Sequence, residues 1–257
     1  MSDLVVHPQT APLVGSVPVP GDKSIAHRAL LLSAIAEGTS RIRGGLLGED
    51  NLATLTALRS LGVTVREEEG GGVVVSGVGL HGLRAPAVDI DCGNSGTTMR
   101  LLCGVLVAQR FTSCLVGDAS LSNRPMERVA RPLRMRGGRI EGRIDPRRVG
   151  EITAPLIIGP LPEPLVLSTL EIELLVASAQ VKSAILLSGL YADGATFVRE
   201  PHVSRDHTER MLHALGVPIQ SVGSLVHLDG PAWSGVLPAF DLTVPGDLSA
   251  AAFLLCA

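Results

Sequence analysis

Gly21-Asp22-Lys23-Ser24-Ile25-Ala26-His27-Arg28-Ala29-Leu30-Leu31-Leu32 is a small, polar, partly basic turn that runs straight into an apolar helix. Downstream the pattern closes on a Leu61-Gly62-Val63 step, and then it returns. Gly93-Asn94-Ser95-Gly96-Thr97-Thr98-Met99-Arg100 leads into Leu101-Leu102 and closes near Gly137-Gly138. Ser178-Ala179-Gln180-Val181-Lys182-Ser183 leads into Ala184-Ile185-Leu186-Leu187 and closes on Leu215-Gly216-Val217. A fourth opening, Gly246-Asp247-Leu248-Ser249-Ala250, continues through Phe253-Leu254-Leu255 to Ala257. Self-similarity of this kind marks a domain assembled from repeated supersecondary units. The expected fold class is therefore α/β, with the chain stopping inside a fourth copy.

Reading outward from each turn gives the order of elements. Val14 to Val19 reads as a strand, Lys23 to Glu37 as a helix stopped by Gly38, and Thr39 to Arg43 as a strand broken at Gly44-Gly45. A second helix spans Asp50 to Leu61, with Asp50 as its N-cap, Leu52, Leu55 and Leu58 on one face, and Gly62 as its stop. Val63 to Arg66 and Val73 to Ser76 form a hairpin. The second unit has helices at Thr97 to Ala108 and Pro125 to Arg136, with strands at Phe111 to Val116, Gly138 to Ile144 and Leu156 to Ile158. The third has helices at Gln180 to Tyr191 and Asp206 to Leu215, with strands at Ala195 to Arg199, Val217 to Ser221 and Leu225 to Leu228. Pro-rich Gly159 to Leu167 reads as a connector. Each unit is thus β-α-β-α-β-β.

The 257 residues suffice for a substantial core. Aromatics are only 2% against 29 glycines, so that core is built from Leu, Val, Ile and Ala with closely approaching backbones. A net charge of −3 gives no electrostatic case for nucleic acid or an anionic membrane surface. No apolar run approaches the ~18 residues of a transmembrane helix. Met1-Ser2-Asp3-Leu4 lacks a charged-then-apolar leader, so a cytoplasmic location is expected. Cys92, Cys103, Cys114 and Cys256 form no C-x-x-C pair and have no His at ligand spacing, which reads as buried reduced thiols and no metal.

Ser24 and Arg28 stand i, i+4 at a helix start and share one face; Lys23 and His27 share the next. A helix N-terminus already favours an anion through its unpaired N–H groups and its dipole. Placing Lys23 and Arg28 there, where acids are usual, points to a negative charge supplied by a ligand. Gly93-Asn94-Ser95-Gly96-Thr97 is small enough for backbone to approach that ligand. Arg124 precedes Pro125 in an extended turn, and Lys182 and Ser204-Arg205 stand at matching junctions of the third unit. In pseudo-symmetric units such junctions converge, so Lys23, Arg28, Arg124, Lys182 and Arg205 are expected around one concavity. The nucleotide signatures G-x-x-x-x-G-K-[ST] and strand-linked G-x-G-x-x-G are absent.

These motifs resemble those of the 5-enolpyruvylshikimate-3-phosphate synthase family. The residues that carry the resemblance are Pro20-Gly21-Asp22-Lys23-Ser24 with Arg28, Gly93-Asn94-Ser95-Gly96-Thr97 with Arg100, and Asn123-Arg124-Pro125-Met126. It continues through Ser178-Ala179-Gln180-Val181-Lys182-Ser183, Ser204-Arg205-Asp206-His207-Thr208 and Pro245-Gly246-Asp247 with Ser249-Ala250. The resemblance implies a two-lobed enolpyruvyl transferase fold with three such units per lobe. One lobe would be nearly complete in residues 21–243, and the other represented only by 1–20 and 244–257. It implies transfer of the enolpyruvyl group of phosphoenolpyruvate to a hydroxyl of shikimate-3-phosphate, with release of phosphate and no cofactor, in aromatic amino acid biosynthesis.

By the same resemblance, Lys23 would lie between the two substrates as a catalytic residue. Ser24 and Arg28 would hold the shikimate carboxylate, and Ser178, Ser204 and Arg205 its 3-phosphate. Gln180 would lie against the ring, while Gly96 and Arg124 would contact phosphoenolpyruvate. Paired basic groups suit a phosphate and a carboxylate, each of which takes charge-assisted donors. The remaining catalytic acids and bases of the family fall beyond residue 257. Leu175 stands where a proline is usual. A remnant that only binds shikimate-3-phosphate is the competing expectation, and self-association through the incomplete lobe goes with it. The related UDP-N-acetylglucosamine enolpyruvyl transferases carry Lys-Asn where this chain has Lys23-Ser24, and their cysteine-bearing loop is not recognisable here.

Overall fold

The Asp22 carboxylate accepts a hydrogen bond from the Ile25 N–H at 2.8 Å and caps helix α1, Lys23–Ala34, in the computed structural model, which describes residues 14–44 and 48–256. From Ala26 to Ala34 every residue of α1 is buried, so it is an inner helix, apolar around most of its circumference. Strand β1, Glu37–Arg43, helix α2, Glu49–Ser60, and the hairpin β2, Thr64–Glu68, with β3, Gly72–Val78, complete the first unit. The second comprises β4, Ile90–Asp91, α3, Gly96–Leu106, β5, Ser113–Val116, α4, Glu127–Met135, β6, Ile140–Ile144, and β7, Ile152–Ile158. The third comprises β8, Leu170–Glu173, α5, Ala179–Gly189, β9, Thr196–Arg199, α6, His207–Ala214, β10, Ile219–Val222, and β11, Leu225–Leu228. Strand β12, Asp241–Thr243, and helix α7, Leu248–Leu255, follow.

The described strands form three four-stranded sheets, ordered β12-β1-β3-β2, β4-β5-β7-β6 and β8-β9-β11-β10. In each, the first pair is parallel and the other two are antiparallel. One topology is therefore repeated, but the first copy is completed from far along the chain. Its leading strand is β12, which pairs with β1 at Arg41↔Asp241, Ile42↔Leu242 and Arg43↔Thr243. Residues 14–19, expected to be that strand, have no regular structure, and Val14 is 93% exposed. The edge of β1 they would need is occupied, and Pro18 has no N–H to give a ladder. Leu170–Glu173, just past the connector and given no element in the sequence reading, is the leading strand of the third sheet.

Helices α3 and α5 are, like α1, buried along most of their length. A Cβ on Gly104 would stand 2.3 Å from the Ala184 carbonyl oxygen, so α3 and α5 approach as closely as a glycine allows. That contact is what a core nearly free of aromatics makes room for. Helices α2, α4 and α6 lie outside, and smaller corrections fall on them. Gly48, not Asp50, is the N-cap of α2, and Asp50 instead turns to Lys23. Leu55 and Leu58 are buried while Leu52 is 42% exposed, because a three-residue step drifts by about 60° on a 3.6-residue helix. Gly62 does end α2, with φ of +86°. Cys92 and Cys103 are buried as expected, but Cys114 is half-buried and Cys256 exposed; all four are unbridged. Among the described residues no helix is long and apolar enough to cross a membrane. The readings of residues 1–4 and of Gly45 lie outside the described residues.

Candidate functional site

The N-terminal ends of α1, α3 and α5 meet, and side chains cross between them. Arg28 of α1 donates from Nη2 to Ser183 Oγ on α5 at 2.7 Å and from Nε to Thr208 Oγ1 on α6 at 2.7 Å. Gln180 at the start of α5 donates from Nε2 to Thr97 Oγ1 at 2.9 Å, and its Oε1 accepts from Arg100 Nη1 at 2.7 Å, both on α3. Arg205, ahead of α6, reaches back to Ser24 Oγ at 3.3 Å. Above this junction opens a cleft of about 660 Å³.

Five arginines line it, Arg28, Arg100, Arg124, Arg128 and Arg205, with no aspartate or glutamate among the lining residues. The first turns of the three inner helices carry no acid either, whereas the outer helices α2, α4 and α6 begin with Glu49 and Asp50, Glu127 and Glu209. Acids are the ordinary complement of a helix dipole. Of the three helices that face the cleft only α1 has an acid at its start, the capping Asp22, so the ends of α3 and α5 and five guanidiniums meet no carboxylate in the cleft lining. Burial lowers the pKa of Arg28 to about 10, against the pull of Glu209. Burial, with Arg128 and Arg124 nearby, lowers that of Arg100 to about 10 as well. Both stay charged at neutral pH. The His207 pKa is lowered by burial and by Arg28, which favours its neutral form.

Of the residues singled out in the sequence, Ser24, Arg28, Arg124, Ser178, Gln180, Ser204 and Arg205 line the cleft. Gly96 lies beneath it: a Cβ there would come within 2.6 Å of Arg100 Nη1 and 3.1 Å of Arg124 Nη1, so a glycine lets two guanidiniums sit on the start of α3. Arg124 is also held by Asn94, whose Oδ1 accepts from Arg124 Nη2 while its Nδ2 donates to Asp118 Oδ2 at 2.6 Å. Lys23 stands to one side, half exposed and donating to Asp50 Oδ2 at 2.8 Å. Lys182 does not join the cleft. It is buried, with Nζ 2.6 Å from Glu200 and 2.7 Å from Glu209, so its charge is spent within the third unit.

Arg100, Arg128 and His207 line the cleft without having been given a role from sequence. For Arg100 the signal was present, since it follows Gly96 on α3 by the same four residues that separate Ser24 from Arg28; Arg128 and His207 carry no such local signal, because Arg124 lies ahead of α4.

Three equivalent α/β units aim their inner helices at one arginine-lined cleft without a lining carboxylate, a chemistry suited to a small molecule with more than one negative group. The family model described as EPSP synthase (3-phosphoshikimate 1-carboxyvinyltransferase) matches residues 8–257, and the chain belongs to that family. The 3-phosphoshikimate 1-carboxyvinyltransferase of Acidithiobacillus ferrooxidans is 51% identical over 243 residues, which are 95% of this chain and 53% of that protein. The enzyme of the same name from Bacillus thuringiensis is 47% identical over 257 residues, 100% of this chain and 57% of the relative. The EPSP synthase structure from Acinetobacter baumannii superposes with a TM-score of 0.85 at 48% identity, covering 94% of this chain and 52% of that one. The chain thus spans about half the length of the relatives it matches.

Proposed function

We propose that this chain provides the shikimate-3-phosphate side of an enolpyruvyl transferase, which moves the enolpyruvyl group of phosphoenolpyruvate onto a hydroxyl of shikimate-3-phosphate and releases phosphate. The observation that carries the reading is the acid-free cleft with five arginines, matched to two substrates that each bear a phosphate and a carboxylate. Arg28 and Ser24 take the shikimate carboxylate, and Ser178, Ser204 and Arg205 take the 3-phosphate. Gln180, fixed between Arg100 and Thr97, lies against the ring. Arg124, above Gly96, faces phosphoenolpyruvate. Lys23 leaves Asp50 to stand between the substrates, a short swing for a side chain that is half exposed.

The matching strand order of the three sheets and the return of β12 to β1 support assigning residues 21–243 to one substrate-binding lobe, with 1–20 and 244–257 assigned to a second. Unbridged Cys92 and Cys103 suit a reducing cytoplasm. Helix α7, with no buried residue, offers a surface for self-association.

A second reading is favoured by what the cleft lacks. Addition and elimination at the enolpyruvyl carbons need general acids and bases in place, and the cleft has no lining carboxylate to serve. On that reading the 257-residue chain binds shikimate-3-phosphate and does not turn it over. Losing groups that act in the transition state removes rate far more than ground-state affinity. Calorimetry with shikimate-3-phosphate, paired with a phosphate-release assay, separates the readings. Binding without release supports the second, family-like turnover by the pure chain removes it, and no binding at millimolar ligand removes both.

A further inference from the structure

Glu200, on the loop after β9, is buried, with its side chain 1% exposed, yet it is hydrogen-bonded to both serines at the cleft edge. Its Oε1 accepts from the Ser178 N–H at 3.1 Å, at the cap of α5. Ser204 Oγ donates to the carboxylate, 2.8 Å from Oε1 and 2.9 Å from Oε2, and the Ser204 N–H reaches Oε2 at 3.3 Å. Lys182 Nζ, from within α5, donates to Oε2 at 2.6 Å. All these partners are donors, so the position calls for a group that only accepts, which an ionised carboxylate does and an amide does not. Burial pushes the Glu200 carboxyl up, but the bonds from Lys182 and Ser204 outweigh it and hold it below the ordinary range.

We propose that Glu200 is a positioning residue for phosphate recognition: anchored by Lys182, it fixes the Ser178 cap and the Ser204 loop at the separation that lets both grip one phosphoryl group, without touching that group itself. The inference rests on the reading that Ser178 and Ser204 take the phosphate of shikimate-3-phosphate. The Ser204 hydroxyl has one proton. When phosphate arrives, that proton turns from Glu200 to the ligand, while the Ser204 N–H keeps the loop on the carboxylate. Glu209 provides the natural comparison. It shares Lys182, at 2.7 Å, but has no hydrogen bond to either serine.

The test is an NMR titration of the full chain, of Glu200→Gln and of Glu209→Gln with shikimate-3-phosphate and with shikimate, which keeps the carboxylate and lacks the phosphate. In E200Q the preference for the phosphorylated ligand is expected to fall by about tenfold or more, the loss of a charge-supported contact. In E209Q, which removes the same charge from the same lysine, the preference stays within about twofold of the unsubstituted chain. An unchanged preference in E200Q, or an equal loss in E209Q, overturns the proposal. Should E200Q not fold, Glu200→Asp keeps the charge but draws it back by one methylene, and the same criterion applies. If neither folds, Glu200 is a residue of the core only and the proposal is wrong. An unsubstituted chain that does not prefer shikimate-3-phosphate over shikimate sinks the underlying reading itself.

Discussion

Arg28 is the residue on which most of the cleft turns, because it ties α1 to both α5 and α6 while facing the ligand space. Arg28→Lys keeps the charge but cannot hold Ser183 and Thr208 through a planar fork. We expect shikimate-3-phosphate affinity to fall by about tenfold to a hundredfold, as for a lost charge-assisted contact, with calorimetry as the check. His27, one position earlier, does a different job. Its ring is fully buried, Nδ1 lies 2.8 Å from Thr54 Oγ1, and burial lowers its pKa from 6.5 to about 3. The unfolded chain therefore binds this proton first, so stability is lost as pH falls from about 6.5 toward about 3, at about 1.4 kcal/mol per unit. Urea unfolding at pH 7 and pH 5 should show that slope in the parent chain and a shallower one in His27→Gln; equal slopes would assign the acid sensitivity elsewhere. The cleft was legible in sequence wherever a residue's role is set by its own helix turn, as for Ser24 and Arg28. It was illegible for Lys182, whose charge is consumed by Glu200 and Glu209 from the following loop and helix, partners that only tertiary packing brings near.

At the scale of elements, the helices could be read because their starts are written locally: Asp22, Ser95 and Ser178 each accept a bond from a backbone N–H in the first turn. The leading strands could not. β4 and β12 are two and three residues long, and a strand of that length has no periodicity to detect. Residues 14–19 look more strand-like than either and are not one, since pairing depends on which edge is free. Helix packing gives a firmer expectation. Gly104→Val would drive a Cβ to within 2.3 Å of the Ala184 carbonyl, with more atoms behind it. Overpacking of that kind costs about 1–3 kcal/mol, so the urea midpoint should drop, and an unchanged midpoint would mean that α3 and α5 have slack. Helix α7 presents the opposite case. Leu248 and Phe253 are 73% and 84% exposed on a helix with no buried residue. A helix this short is marginal without packing, and exposed apolar patches promote association. Size-exclusion chromatography should show concentration-dependent assembly that Phe253→Lys weakens; a monomer whose α7 resists protease would contradict this.

For the whole molecule, three copies of one topology place three helix starts at one end, and the cleft is the outcome of that symmetry more than of any single motif. Among the described residues, the first sheet departs from the symmetry where Asp241–Thr243 crosses back to lie beside Arg41–Arg43. The seam is reinforced by Glu37 N–H donating to the Leu237 carbonyl at 2.8 Å and Phe240 N–H donating to Ser40 Oγ at 3.1 Å. During synthesis the segment holding β1, β2 and β3 leaves the ribosome first, and its sheet must wait with one edge unpaired until residue 243 has emerged. Domains ordinarily mature from the N-terminus onward as the ribosome delivers them, and an open edge is the feature most prone to wrong pairing. Stalled nascent chains ending before residue 237 should therefore leave this first unit sensitive to protease, and those long enough to expose residue 243 should protect it in one step. A unit made before the second and third is, on this account, secured after them, which makes the pace of translation across those two units a determinant of how much of the chain reaches its native form.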